Sequence, residues 1–158
     1  AQYDYITNFD DDDYYAPLHL NDIMDGFKKS NAAVVGRESL YFYLEEVRKL
    51  FRLEGQMNDY ANRVAGSTLS WKKEIWDEIK FDDINLGPDT RFCADWLKRG
   101  IDIYSIGCFN HLVIRHKDGE AHTWRESDEG SISWGGDVEL TDVSLEYSSE
   151  WITKSNLW

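Results

Sequence analysis

Cysteine is scarce in this chain: its 158 residues include only Cys93 and Cys108. Neither stands in a CxxC pair or at a Cys/His ligand spacing, so nothing supports a zinc site or a disulfide scaffold. Two free, buried thiols are the expectation, which fits a reducing interior; a single bridge between them is the alternative. Long apolar runs are also missing. No stretch reaches the length of a membrane-spanning helix, and the opening residues lack the charged, apolar, small-residue order of a secretory signal. Positive charge is in short supply, with 17 Lys and Arg against 30 Asp and Glu and a formal charge of −13. A phosphate backbone or an anionic lipid surface would be repelled by that excess. The densest basic stretches, Lys28 with Lys29 and the run from Arg48 to Arg52, are short and have acidic neighbours. Repeats, low-complexity linkers and an internal domain boundary are absent from the pattern. The expectation is a cytoplasmic protein with no membrane span that binds no nucleic acid.

What the chain has is aromatic and apolar bulk, 42% hydrophobic overall with 7 Trp, 9 Tyr and 7 Phe, enough to build a core. Residues 3–9 read as a short aromatic strand that runs straight into Asp10, Asp11, Asp12 and Asp13. Four adjacent carboxylates repel one another, so either a bound cation offsets the cost or the run is a solvated acidic turn. Pro17 opens an expected helix over 17–29, with Leu18, Leu20, Ile23, Met24 and Phe27 on one apolar face. Strands are expected over 32–36 and 39–44. Residues 45–53 fit a helix or the return arm of a hairpin, and the hairpin is preferred. Gly66, Ser67, Thr68 and Leu69 lead to Ser70 as an N-cap and to an expected helix over 71–79, with Ile75, Trp76 and Ile79 inward. The clearest local signal is a helix opened by Pro88, with Phe92, Cys93, Trp96 and Leu97 as its buried stripe. Gly100 ends it before a strand over 101–106. A further apolar run covers 109–114, and beyond Gly130 the pattern weakens to a hairpin or a packed tail.

FDDDDYYAPLHL and its helix, then AGSTLSWKKEIWDEIKFDD, then GPDTRFCADWLKRGIDIYSI, then HTW stand in an order that resembles the carboxyl-terminal half of a family 2 glycosyltransferase with the GT-A fold. The resemblance covers roughly residues 1–125 and lies in the order of several motifs together. It implies an α/β fold, a partial GT-A mixed sheet flanked by helices. Residues 1–130 would be the acceptor- and metal-binding half, and 131–158 a C-terminal extension or tail. The nucleotide-binding half that precedes the acidic motif in that family would be missing, so the chain is expected to be part of a longer protein.

The resemblance also implies roles. Asp10 and Asp12 would bind Mn²⁺ or Mg²⁺, whose preference for hard oxygen suits carboxylates, with His122 of HTW as a further ligand and His116 as a second possibility. Asp11 and Asp13 would contact the nucleotide-sugar donor or the ion. Asp89 of GPDT would be the general base for the hydroxyl of a saccharide or other acceptor, with Pro88 standing where the family usually has glutamate. Gly66, Ser67 and Thr68 would approach the acceptor, and Trp124 would stack on a sugar ring. Each residue has a plainer reading as well: a surface turn for the aspartates, helix capping for Asp89 and for the Gly66 turn, a structural residue for His122, a loop anchor for Trp124. The implied activity is metal-dependent, inverting sugar transfer by an enzyme. The alternative is a non-catalytic carbohydrate- or metal-binding module on the same scaffold. A calcium-binding acidic surface protein is weaker, because the DxDxDG loop pattern is absent.

Overall fold

A computed structural model of the chain describes residues 3–77, 88–116 and 136–154. These form a mixed α/β structure with two five-stranded sheets and three α-helices, organised as two units. The first unit gathers Ala1–Asp10, Leu20–Glu38 and Gln56–Gly107, and the second gathers Asp11–His19, Ser39–Gly55 and Cys108–Trp158. Among the described residues no helix is long and apolar enough to cross a membrane.

In the first unit, β1 (Tyr5–Thr7), β3 (Val34–Gly36), β6 (Asp59–Ala61), β7 (Ser70–Lys72) and β8 (Ile103–Ser105) stand in the order β1-β7-β3-β8-β6. The β3–β8 pair is parallel, and the other pairs are antiparallel. All of β3 is buried, as expected for a strand covered on both faces. Alternation along it decides which helix meets which residue. Val35 packs with Ile23 and Phe27 of α1 (His19–Ser30), while Val34 packs with Phe92, Cys93 and Trp96 of α2 (Pro88–Lys98). Fully burying a side chain of this size stabilises the fold by about 1.5–3 kcal/mol. The aromatic part of this core is oriented rather than merely filled: Trp96 meets Phe92 edge-on at 5.3 Å, and Trp71 stacks on Trp76 at 5.7 Å. The helix α1 stops where Asn31 turns left-handed, at φ 56°, and bonds back to the Phe27 carbonyl.

In the second unit, β2 (Tyr14–Tyr15), β4 (Leu40–Leu44), β5 (Lys49–Leu53), β9 (His111–Arg115) and β10 (Gly136–Thr141) stand in the order β10-β5-β4-β9-β2. The β4–β5 hairpin turns through Arg48 at φ 51°, and β4 runs parallel to β9. Helix α3 (Leu145–Lys154) supplies Ile152, fully buried, to a cluster with Tyr41, Tyr43 and Leu112, and Trp151 meets Tyr41 edge-on at 5.3 Å.

The α/β class, the hairpin, the strands around 32–36, 39–44, 101–106 and 109–114, and the Pro88 helix are as the sequence predicts. The helix expected over 71–79 is not. Residues 70–72 form β7, and Lys73–Asp77 form a 3₁₀ turn. Trp71 lies in the sheet opposite both Ile6 and Val34, and Ser70 uses its hydroxyl on Thr68 and Thr7 instead of capping a helix. Sheet pairing on both sides outweighs a local helical period, yet Ile75 still reaches the core. Helix α1 starts at His19 rather than Pro17, and Leu18 and Leu20 stand exposed instead of joining its buried stripe. The stretch beyond Gly130 supplies β10 and α3 to the second unit. Neither was legible, because β10 is an acidic edge strand whose partners, such as Arg52 for Glu139 and Asp137, lie far away in sequence.

Candidate functional site

In the first unit the residues of interest gather where β1 ends and α2 begins. Gly66–Thr68 forms a 3₁₀ turn ahead of β7 and touches α2. Its Gly66 N–H donates to Asp89 Oδ2 at 3.1 Å, and the Asn8 side-chain amide donates to the Gly66 carbonyl at 3.3 Å. Three segments distant in sequence are thereby linked: the strand leading to Asp10, the small-residue turn, and the first turn of α2. A carboxylate there is favoured by the helix dipole and accepts an otherwise orphan amide. Glycine at 66 permits the close approach, since a Cβ would sit 3.3 Å from both the Asp89 Cβ and its Oδ2.

The turn is fixed from a third side. Thr68 is fully buried, and its hydroxyl accepts the Arg37 N–H at 2.9 Å and donates to the Ala65 carbonyl at 3.2 Å. Ser67 is buried as well. The Thr68 hydroxyl, expected to face an acceptor, is thus committed to the loop, while Gly66 and Asp89 are half-buried. Behind Asp89, one turn along α2, burial pushes the Cys93 thiol up to about 11, with the negative charge of Asp89 adding to the effect. Cys93 and Cys108 are both free and buried, as their spacing led us to expect.

The acidic run divides by environment. Asp10, at the end of β1, and Asp11 are exposed, and Asp12 is half-buried. Asp13 points into the second unit, its side chain 4% exposed. There Oδ1 accepts the Ile114 N–H at 3.2 Å, and Oδ2 hydrogen-bonds His111 Nε2 at 3.1 Å. His111 is fully buried beside Tyr15 and His19, with ring centroids 4.9 and 5.9 Å away. Asp13 therefore anchors its loop to β9. His116 pairs with Glu45 at 3.5 Å, and His122 and Trp124 lie outside the described residues.

Among the described residues no three His, Cys, Asp or Glu side chains converge on a point that could hold a metal ion. Mg²⁺, by contrast, is commonly bound through one or two carboxylates, with substrate phosphates and water filling its other positions. Asp10 and Asp11 are exposed carboxylates of the hard-oxygen type that such an ion takes. Sequence reasoning missed Asn8. A single amide two residues ahead of an acidic run carries no periodicity, and only its partner 58 residues away reveals it. No protein-family model matches the sequence, and a search against curated proteins returned no match.

Proposed function

We propose that the chain is the acceptor-side half of a metal-dependent, inverting glycosyltransferase that moves a sugar from a nucleotide-diphosphate donor to a hydroxyl of a saccharide or other acceptor. The observation that carries this reading is the hydrogen-bonded succession Asn8, Gly66, Asp89, which ties the strand leading into the aspartates to the helix of the candidate base. A base of this kind needs a carboxylate held in one orientation with an oxygen to spare. Gly66 holds Oδ2 of Asp89, and Oδ1 is the atom we assign to receive the acceptor proton. Asp10 and Asp12, with His122, are the proposed ion ligands, and Mn²⁺ or Mg²⁺ bound there would neutralise the departing diphosphate. Trp124 would stack on a sugar.

A second feature agrees with a preceding nucleotide-binding half. Strand β1 is at the sheet edge, and among the described residues no strand pairs with its outer side. Tyr5 on it, and Tyr3 and Phe9 flanking it, are 40%, 76% and 50% exposed, which leaves apolar surface in water beside an edge open to strand addition.

The test uses the full-length protein with Mn²⁺ and UDP-glucose, UDP-N-acetylglucosamine and GDP-mannose in turn, measuring nucleoside diphosphate release with and without saccharide acceptors. Asp89→Asn and Asp12→Asn should abolish turnover with the circular dichroism melt preserved. Undiminished turnover in either variant refutes its assigned role. Binding of Mn²⁺ by calorimetry without turnover of any donor would favour a binding module instead.

A further inference from the structure

We propose that Asn8 is a positioning residue that sets the Asp89 carboxylate through Gly66; its catalytic consequence rests on the reading of Asp89 as the base. The backbone N–H of Asn8 donates to the Leu69 carbonyl at 2.9 Å, at the far side of the same turn whose Gly66 carbonyl its side chain holds. A carbonyl only accepts, so the side-chain nitrogen of Asn8 must face it. Residue 8 therefore grips the turn at both ends. Gly66 in turn carries the amide on Asp89 Oδ2, and a Cβ on it would lie 3.3 Å from both Cβ and Oδ2 of that side chain.

Two other ties of the turn, Ala65 N–H to the Arg37 carbonyl and Arg37 N–H to Thr68, run to the residue that follows β3 and do not reach Gly66 itself. Besides the turn's own bond from Leu69 N–H, Asn8 is thus the partner that fixes the Gly66 carbonyl, and Asp89 the partner of its amide. Loss of the Asn8 bond lets Gly66 swing about its neighbours. A shift of a few tenths of an ångström there is passed directly to the carboxylate, and misplacing a catalytic group is felt in the chemical step more than in substrate binding.

Amide hydrogen exchange and kinetics on the full-length protein test this together. Asn8→Ala should speed exchange of the Gly66 amide at least about tenfold, leaving Val35 in the core unchanged. Asn8→Asp, which sets an acceptor against the Gly66 carbonyl at nearly the same size, should do the same and guards against a folding defect in the first variant. Asp89→Ala should speed the same amide, and the double variant Asn8→Ala/Asp89→Ala should exchange no faster than Asp89→Ala alone. Kinetically, either Asn8 variant should lower kcat about 10–100-fold with KM for the nucleotide sugar unchanged, and should add nothing to the loss in Asp89→Asn. An unaltered Gly66 amide, or additive effects in the double variant, overturns the proposal. If the wild type turns over no donor, the base reading fails, and the exchange cycle alone decides whether Asn8 positions Asp89.

Discussion

Asp13 and Asp11 are neighbours of the same chemical type that should respond to substitution very differently. Asp13 places one oxygen on the Ile114 amide and the other on His111, with its side chain 4% and the imidazole 0% exposed. Asp13→Ala removes both bonds. A buried amide without its acceptor and a buried imidazole nitrogen without its partner each cost about 1–3 kcal/mol, which together set a loss of about 2–5 kcal/mol. Asp13→Asn retains one acceptor and should lose about 1–2 kcal/mol. Asp11 is exposed, so Asp11→Ala should stay within about 0.5 kcal/mol of wild type. In urea, with a slope of about 2 kcal/mol per molar, Asp13→Ala should lower the midpoint by about 2 M, and tryptophan fluorescence, with Trp151 in the same unit, reports it. A loss below about 1 kcal/mol for Asp13→Ala, or equal losses at both positions, would refute the anchoring role.

Gly36→Ala should destabilise by about 1–3 kcal/mol, because the new Cβ would lie 2.7 Å from Val64 Cγ2 and 3.0 Å from the Thr68 carbonyl, on a strand covered on both faces; chemical denaturation measures it. Cys93 should resist iodoacetamide at pH 8 in the native state and react after unfolding, since its thiol is buried and pushed up to about 11. The same shift gives a pH dependence. The folded protein holds this proton more tightly than the unfolded chain, so the contribution is complete below pH 9 and is lost as pH rises toward about 11. The wild type should lose stability over that window up to about 1.4 kcal/mol per pH unit more steeply than Cys93→Ala, as read from urea midpoints.

Local chemistry made part of this molecule legible. Proline, a four-residue apolar stripe and a closing glycine, found at φ 76°, suffice for α2, because each acts within one or two turns. Strand β4 is equally plain, since every one of its residues is buried and aromatic or branched. The acidic run stood out by residue type alone, whereas Asp89 stood out only through the resemblance of GPDT to a family motif. What the tertiary structure decided is everything that depends on a distant partner. Trp71 became a strand residue because two other strands flank it, whereas its local period is helical. The four aspartates, identical in sequence, separated into exposed and anchored members once β9 brought His111 and Ile114 to Asp13. Asn8 gained a meaning only when the fold laid Gly66 beside it and Asp89 beyond. A hydrogen bond is set by a few ångströms of space, and separation along the chain does not encode that.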